Sequence, residues 1–322
     1  MPLAPLLIRR GELVSGARGG VFFGCSWRLW RVVIALFSAS GAGAETLTIA
    51  TYNVENYVLA DRITASGYRQ AYPKPESQKH ALRRVIRDLH ADVLVVQEMG
   101  PQPFLDELQQ DLRTGGVDFP FTALAVAGDA DRHVAVLSRR RLRNVTTHRD
   151  LSFPYFGGRE TVKRGLLEVT LETALGDVTL FAVHLKSRFT DRIDDPLSAL
   201  RRAGEAAAIR DRILQRFPNP AEARFIIVGD CNDSPRSRPL VALQNRGKTR
   251  IAELLAATDS RGDTWTHAYR REDSYSRADY ILVSAALKPQ VRGGVAVIYD
   301  GAGAQAASDH RPVFLVLAEP AR

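Results

Sequence analysis

The sequence contains few residues of the types that build disulfide scaffolds or cysteine-rich metal sites. Its 322 residues include only two cysteines, Cys25 and Cys231, and two methionines. Two cysteines cannot supply a thiolate cluster for structural zinc, and no histidine follows another in a His-x-x-x-His pair. These absences exclude a disulfide-rich scaffold and argue against a zinc centre.

Long apolar runs are also lacking, because no segment after residue 44 reaches the roughly 18 to 20 apolar residues that cross a bilayer. Near the start, arginines precede the apolar run Val32–Phe37, and the small residues Ala42–Ala44 follow it. This order is typical of a secretory signal with an A-x-A cleavage site. We therefore expect residues 1–44 to be a leader and signal peptide, and residues 45–322 to form one secreted or periplasmic domain.

The positive charge of the chain is modest once the predicted leader is removed. The whole sequence carries a formal charge of +8, and residues 1–44 contribute five arginines and one glutamate. Their net +4 leaves +4 on residues 45–322. A mild basic bias is compatible with an anionic substrate but does not require nucleic acid.

Beyond the leader, short apolar runs alternate with stretches whose apolar residues recur at helical spacing, and no repeat is present. Several neighbouring strands are predicted to form hairpins, so a purely parallel sheet is not expected. The predicted helices are His80–Leu89, Pro103–Leu112 and Leu197–Gln215. The predicted strands are Leu47–Thr51, Val93–Val96, Phe121–Val126, Val134–Leu137, Leu166–Leu171, Val178–Val183, Phe225–Val228, Tyr280–Val283, Val295–Ile298 and Val313–Leu317.

Polar motifs stand beside these apolar runs in five places. The most informative follows the run Phe225–Val228, where a turn carries the carboxylate of Asp230 and the carboxamide of Asn232 two residues apart. One such turn alone is typical of side chains that cap backbone groups. The other motifs are Thr51-Tyr-Asn-Val-Glu55, Val96-Gln-Glu98, Val183-His-Leu-Lys-Ser-Arg188, and the pair Arg277-Ala-Asp-Tyr280 with Ser308-Asp-His-Arg-Pro312.

Together and in this order, the five motifs resemble the endonuclease/exonuclease/phosphatase superfamily of metal-dependent phosphoesterases, which includes DNase I. The resemblance extends from about Leu47 to Leu317. It implies an α/β fold, a DNase I-like four-layer α/β sandwich in which two mixed β-sheets pack face to face and helices flank them.

Hydrolysis of a phosphodiester requires a hard cation, donors to the phosphoryl oxygens and a base for water. The oxygen-rich residues of the motifs fit Mg²⁺ or Mn²⁺. The resemblance implies a metal site with Glu98 as principal ligand, Asn53 and Asp309 near it, and Glu55 contributing to a second ion.

The resemblance also implies roles for the other motif residues. His310 would be the catalytic histidine and Asp279 its orienting carboxylate, while His184 would donate to a phosphoryl oxygen. Asp230 and Asn232 would orient the attacking water, and either His310 or Asp230 would be the base. The remaining histidines, which fall outside the motifs, are expected to have solvated or structural roles: His80, His90, His133, His148 and His267.

The basic residues Arg164, Lys186 and Arg188 are expected to bind the substrate. The motifs are most similar to those of bacterial extracellular nucleases, which favours a secreted nuclease of low sequence specificity acting on DNA or RNA. Alternatives are a phosphodiesterase or phosphatase acting on phospholipid head groups or sugar phosphates, and a binding module without catalysis. No motif implies a stable protein partner.

Overall fold

A computed structural model describes residues 45–64, 66–190 and 192–318, so the predicted signal peptide lies outside the described residues. Two sheets dominate this part of the chain. Their strands, in chain order, are β1 (Thr46–Tyr57), β2 (Val93–Met99), β3 (Phe121–Ala125), β4 (His133–Ser138), β5 (Leu142–His148), β6 (Leu166–Leu171), β7 (Val178–His184), β8 (Phe225–Asp230), β9 (Glu253–Leu254), β10 (Ala257–Thr258), β11 (Asp279–Val283), β12 (Ala296–Ile298) and β13 (Val313–Ala318).

Both sheets are mixed, as the sequence predicted. The first has the order β10-β12-β13-β1-β2-β4-β3, and the second has the order β9-β11-β8-β7-β6-β5. In the first sheet β1 runs parallel to β2, and in the second β7 runs parallel to β8. Each of these two parallel pairs is bordered by antiparallel neighbours.

Alternate side chains of each strand point to opposite faces of its sheet. The inner apolar face of each sheet packs against that of the other. Leu47 and Ile49 of β1 belong to the core between the sheets, whereas Ala50 and Tyr52 belong to the cluster on the outer side of the first sheet. Burial of one such large apolar side chain stabilises the fold by about 1.5–3 kcal/mol. The core between the sheets contains more buried apolar residues than the cluster on either outer side.

Helices cover the outer face of each sheet, which confirms the predicted four-layer α/β sandwich. They are α1 (Glu76–Asp88), α2 (Gln102–Thr114), α3 (Ala199–Arg216), α4 (Arg238–Gln244) and the short α5 (Ala304–Ala307). The first two pack on the first sheet through residues such as Leu82 and Leu108, and α3 packs on the second through Ile209 and Ile213. None of the helices in the described residues is both long and apolar enough to cross a membrane.

Several elements differ from the sequence-based prediction. The first strand was expected to end at Thr51 but continues to Tyr57, which places Asn53 inside β1. Strand β5 was not predicted, because it lies at a sheet edge and its central residues, including Val145, are exposed. Also unpredicted are four two-stranded hairpins: Ala60–Thr64 with Gly67–Tyr72, Ser152–Tyr155 with Gly158–Thr161, Asn245–Arg246 with Thr249–Arg250, and His267–Tyr269 with Ser274–Ser276.

One glycine allows β7 and β8 to approach closely at their carboxyl ends. Gly229 has a φ of 144°, and a Cβ atom placed there would lie 2.0 Å from the carbonyl oxygen of Val183. Any side chain would therefore separate the strands. Gly229 precedes Asp230, the last residue of β8, so this contact positions the residues described next.

Candidate active site

Three functional side chains lie in register at one end of three neighbouring strands of the second sheet. His184 ends β7, Asp230 ends β8 and Asp279 begins β11; His184 pairs with Asp230, and Asp230 pairs with Asp279. Residues paired across neighbouring strands project to the same side of a sheet. Asn53 joins them from the first sheet, because its Nδ2 donates to Oδ2 of Asp230 at 3.0 Å. Asp230 therefore links the two sheets at one end of the sandwich.

His310 completes this group. Its Nδ1 lies 2.8 Å from Oδ2 of Asp279, and its Nε2 lies 3.9 Å from Oδ2 of Asp230. Burial alone would lower the pKa of His310, but the charges of Asp279, Asp230 and Asp309 raise that pKa well above its usual value. His310 is therefore an imidazolium at neutral pH. Asp279 lies where the resemblance implied a carboxylate that orients the histidine.

Asp230 is buried, and its protonation changes near neutral pH. Burial, together with the charge of Asp279, raises the pKa of Asp230 to about 7, although His310 and the groups that donate to Asp230 oppose this shift. The backbone N–H of Asn232 donates to Oδ1 of Asp230 at 2.8 Å. The side-chain amide of Asn232 donates to the carbonyl of Leu185 at 3.1 Å, which orients the turn. A carboxylate with such a pKa can accept a proton from water.

His184 has two ring nitrogens without a hydrogen-bond partner among the described residues, although its side chain is only 1% exposed. Its Nε2 lies 3.7 Å from Oδ2 of Asp230. Burial, and then the positive charge of Arg164, hold the pKa of His184 well below its usual value, so the ring is neutral. A buried polar group without a partner is costly. A phosphoryl oxygen would relieve this cost by accepting the N–H of the imidazole.

Beside this group lie the carboxylates of Glu55, Glu98 and Asp309. Burial, and then the charge of Asp309, raise the pKa of Glu55; Glu98 adds to the rise, and Lys74 opposes it. Burial would also raise the pKa of Asp309, but His267 and His310 lower it to about 2. Glu55 is thus repelled by both Asp309 and Glu98, and carboxylate oxygens are the ligands that hard divalent cations prefer.

Strained backbone holds two of these carboxylates and Asn232 in position. Glu55, Glu98 and Asn232 have φ values of 49°, 60° and 52°, in the left-handed region that non-glycine residues seldom adopt. Such strain costs about 1–3 kcal/mol per residue and is common at functional sites. Side chains support it: Oδ1 of Asn53 accepts the N–H of Glu55 at 3.0 Å, and Oε2 of Glu98 accepts the N–H of Asn56 at 2.9 Å.

The residues predicted to hold the metal offer the kind of oxygen donors that such an ion prefers. Glu98 and Asp309 would bind it, and Glu55 and Asn53 contribute further oxygens, although Oδ1 of Asn53 already accepts one hydrogen bond. A bound cation would neutralise charge on the phosphate and lower the pKa of a bound water. Nζ of the buried Lys74 lies 3.5 Å from Oε2 of Glu55 and offsets part of the negative charge.

The three predicted substrate-binding cations lie at different depths. Arg164 is buried, and its Nε donates to Asp129 at 3.0 Å. Lys186 is half-buried and its Nζ bonds back to Ser187 and Phe189; burial, and then Arg164, lower the pKa of Lys186 to about 8. Arg188 is exposed, and its Nε donates to the carbonyl of Asn232 at 3.4 Å. Only Arg188 is therefore readily available to a ligand without rearrangement.

Sequence reasoning missed Glu205, a fully buried carboxylate on α3. Its two oxygens accept the backbone N–H groups of Lys163, at 3.2 Å, and Lys186, at 2.7 Å. It thus fixes both segments that carry the basic residues. The sequence did contain a signal for this residue. Glu205 is a carboxylate on the helix face of Ile209 and Ile213, where apolar residues are expected.

Sequence reasoning did not place His267 beside the centre, and it was expected to be structural or solvated. Its ring lies 4.6 Å from that of His310, and its Nε2 lies 3.7 Å from Oδ2 of Asp309. Nothing in the local sequence could reveal this, since the contact depends on pairing between segments more than 40 residues apart.

Comparisons with known proteins agree with this geometry. The model of the endonuclease/exonuclease/phosphatase family matches residues 50–310. A search of curated proteins finds no match. Among solved structures, sphingomyelinase C from Streptomyces griseocarneus is 16% identical, with 85% of this chain and 100% of that chain covered and a TM-score of 0.56.

Two further structures have the same fold. A beta toxin variant from Staphylococcus aureus with bound magnesium ions is 15% identical, with 84% of this chain and 99% of that chain covered and a TM-score of 0.57. A family protein from Leptotrichia buccalis is 16% identical, with 85% and 99% covered and a TM-score of 0.57. The matched range contains every predicted site residue. This chain belongs to the endonuclease/exonuclease/phosphatase family and is a metal-dependent phosphoric ester hydrolase with a DNase I-like fold.

Proposed function

We propose that this protein is a secreted phosphodiesterase that uses Mg²⁺ or Mn²⁺ to hydrolyse DNA or RNA with little sequence preference. The observation that carries the proposal is the distribution of arginines around the buried centre. A nucleic acid presents a phosphate at every nucleotide, so flanking cations can contact the phosphates beside the cleaved one. A small phosphomonoester has no such neighbours.

These arginines approach the centre from separate segments. Nε of Arg132 donates to Oδ1 of Asn56 at 2.7 Å, next to the N–H that Asn56 donates to Glu98. Arg62 donates to the carbonyl of the same Asn56. Arg188 lies beside Asn232, and its side chain is exposed. Contacts between such arginines and the phosphate backbone of a nucleic acid would carry little information about the bases. This is consistent with low sequence specificity.

The protonation states of Asp230, His310 and His184 support a different role for each residue. Asp230, whose pKa is raised to about 7 mainly by burial, would take the proton from the attacking water. His310 carries a proton and His184 is neutral, so each can donate a hydrogen bond to a phosphoryl oxygen. Donors already in place stabilise the charge that develops in the transition state.

Hydrolysis assays of the purified protein with Mg²⁺ or Mn²⁺ would test the proposed substrate. Duplex DNA, single-stranded DNA, RNA, sphingomyelin and a phosphomonoester are compared across a salt series. We expect nucleic acids to be cleaved without strong base preference, and the affinity to fall with salt as counterions are released. Efficient turnover of the lipid or the monoester, with every nucleic acid intact, would overturn the nuclease assignment.

A matched pair of variants sharpens this test. Arg188→Ala should raise KM for nucleic acid and reduce the steepness of the salt dependence, because a phosphate contact is lost. Arg84→Ala removes an exposed arginine from α1 and should change neither quantity. Equal behaviour of the two variants would show that Arg188 does not contact the substrate.

A second candidate, hydrolysis of phospholipid head groups, is favoured by exposed apolar side chains beside Arg188. Phe189 is 82%, Ile193 96% and Leu197 60% exposed. Apolar side chains mixed with basic ones are typical of surfaces that contact membranes. If lipid is the substrate, Phe189→Ser with Ile193→Ser should reduce hydrolysis of vesicles, whereas Val241→Ser on α4 should not. A neighbour named sphingomyelinase C gives this candidate further support.

Export is part of the proposal and has its own measurement. The apolar run Val32–Phe37 and the small residues Ala42–Ala44 support cleavage after residue 44. Protein recovered outside the cytoplasm should begin at Glu45. Mass spectrometry that finds an intact leader on the exported protein would contradict this expectation.

A further inference from the structure

We propose that His267 is a nitrogen ligand of the divalent cation at Asp309, in addition to the oxygen ligands implied by the family motifs. The inference rests on the metal dependence contained in the proposed function, but not on the identity of the substrate. It gives this site a mixed nitrogen and oxygen donor set where the sequence indicated oxygen alone.

The first argument is distance. Nε2 of His267 lies 3.7 Å from Oδ2 of Asp309, which is too long for a hydrogen bond. Adjacent ligands of an octahedral ion with bonds of about 2.1 Å are separated by about 3 Å, so a small shift would let both atoms bind one ion. The side chains of His267 and Asp309 are both partly exposed, so an ion can reach them.

The second argument is that the other two histidines of the centre are engaged elsewhere. Nδ1 of His310 lies 2.8 Å from Oδ2 of Asp279, and its Nε2 faces Oδ2 of Asp230 at 3.9 Å, so both ring nitrogens point to carboxylates other than Asp309. Nε2 of His184 faces Oδ2 of Asp230 at 3.7 Å, and β8 separates His184 from Asp279 in the strand register. The only carboxylate that pairs with His267 in the described residues is that of Asp309.

The third argument is rigidity. His267 begins a hairpin and forms an antiparallel bridge with His310. On either side of this bridge, the N–H of Ala268 donates to the carbonyl of Asp309 at 2.8 Å, and the N–H of Arg311 donates to the carbonyl of Thr266 at 2.7 Å. The backbone thus holds the imidazole beside Asp309 before any ion binds. A pre-positioned ligand loses little conformational freedom on binding.

A nitrogen ligand has a chemical consequence. Imidazole favours the later first-row ions over Mg²⁺, which binds oxygen. The site should therefore bind Mn²⁺ or Co²⁺ more tightly than Mg²⁺. The ratio of these affinities should fall when His267 is removed. Without it, the oxygen ligands would remain and Mg²⁺ binding would change less.

The test uses the purified protein with Mn²⁺ and no substrate. Pulsed electron paramagnetic resonance detects nitrogen bound directly to Mn²⁺, and we expect this signal in the wild type. His267→Ala should abolish it and weaken Mn²⁺ binding by at least about tenfold, with a smaller change for Mg²⁺. His80→Ala, which removes an exposed histidine from α1, should keep the signal and the affinity.

Two results would overturn the inference. Either the wild type shows no nitrogen bound to Mn²⁺, or the signal persists in a folded His267→Ala variant. The wild-type measurement needs no variant to fold, and thermal melting checks the fold of His267→Ala. Because no substrate is present, failure of the nuclease assignment would leave these results unaffected, and the two hypotheses are tested separately.

Discussion

Nδ1 of His310 and Oδ2 of Asp279 lie 2.8 Å apart, both nearly inaccessible to solvent, at the point where the two sheets meet. The carboxylate fixes the orientation of the ring, and its charge stabilises the imidazolium. The opposite nitrogen of the ring faces Asp230 at 3.9 Å. The acid and base chemistry of this site therefore depends on a chain of three residues, Asp279, His310 and Asp230.

We expect Asp279→Asn to reduce kcat, because the amide keeps the shape of the side chain but loses the charge that favours the imidazolium. The double variant with His310→Ala should be no less active than His310→Ala alone, since groups that act as a unit are not additive. A double-mutant cycle of kcat/KM measures this. Independent, multiplicative losses would show that Asp279 does not act through His310.

His310→Ala should reduce kcat by about 10² to 10⁴, the usual contribution of general acid or base assistance. Removal of divalent ions with EDTA should silence the wild type, and added Mg²⁺ or Mn²⁺ should restore it. Circular dichroism must show that the variant remains folded. Full activity of either the variant or the chelated enzyme would contradict the mechanism.

Asp230 should make the stability of the metal-free protein depend on pH. The pKa of Asp230 is raised to about 7 in the folded protein, so the folded state binds a proton that the unfolded state has already released above about pH 4. The contribution of Asp230 to the free energy of unfolding therefore falls as pH rises from about 4 to about 7. The slope is up to about 1.4 kcal/mol per pH unit.

The measurement compares Asp230→Asn with the wild type, because the difference between them removes the contributions of other groups. We expect the variant to gain stability relative to the wild type as pH rises from 5 to 7, and the gain to level off above 7. Thermal melting in EDTA follows this difference. A stability difference that does not change over this interval would show that Asp230 is already ionised.

Glu205→Gln should raise KM and leave kcat nearly unchanged, because Glu205 does not touch the reacting groups but holds the segments of Lys163 and Lys186. The amide can accept only one of the two backbone hydrogen bonds. Leaving a buried N–H without a partner should cost about 1–3 kcal/mol of the free energy of unfolding. Glu222→Gln, on an exposed loop, is the control; a fall in kcat without a change in KM would contradict a positioning role.

The sequence predicted the central strands and helices well because their apolar residues repeat with the period of each element. Helix α1 shows this with Leu82, Val85 and Ile86, which are all buried. The polar residues at strand ends were also predictable, since the motifs resemble a known family. His184, Asp230, Asp279 and His310 do lie close together.

What the sequence did not reveal depends on contacts between distant segments. His267 was expected to be structural, and it lies beside Asp309 because a hairpin pairs with a segment 43 residues later. Lys74 was not noticed at all, although it is buried against Glu55. In both cases a polar residue follows no local period, so its partner is decided only by tertiary packing.

The pairing of β1 with β13 has a consequence for how the enzyme is made. Thr46 of β1 lies opposite Ala318 of β13, so the first strand of the domain is bordered by the last. During synthesis the chain emerges from its amino end, and this pair cannot form until nearly the whole domain has left the ribosome. Asn53 and His310 are likewise separated by almost the full length of the domain. A nascent chain that has not yet exposed β13 should therefore be inactive.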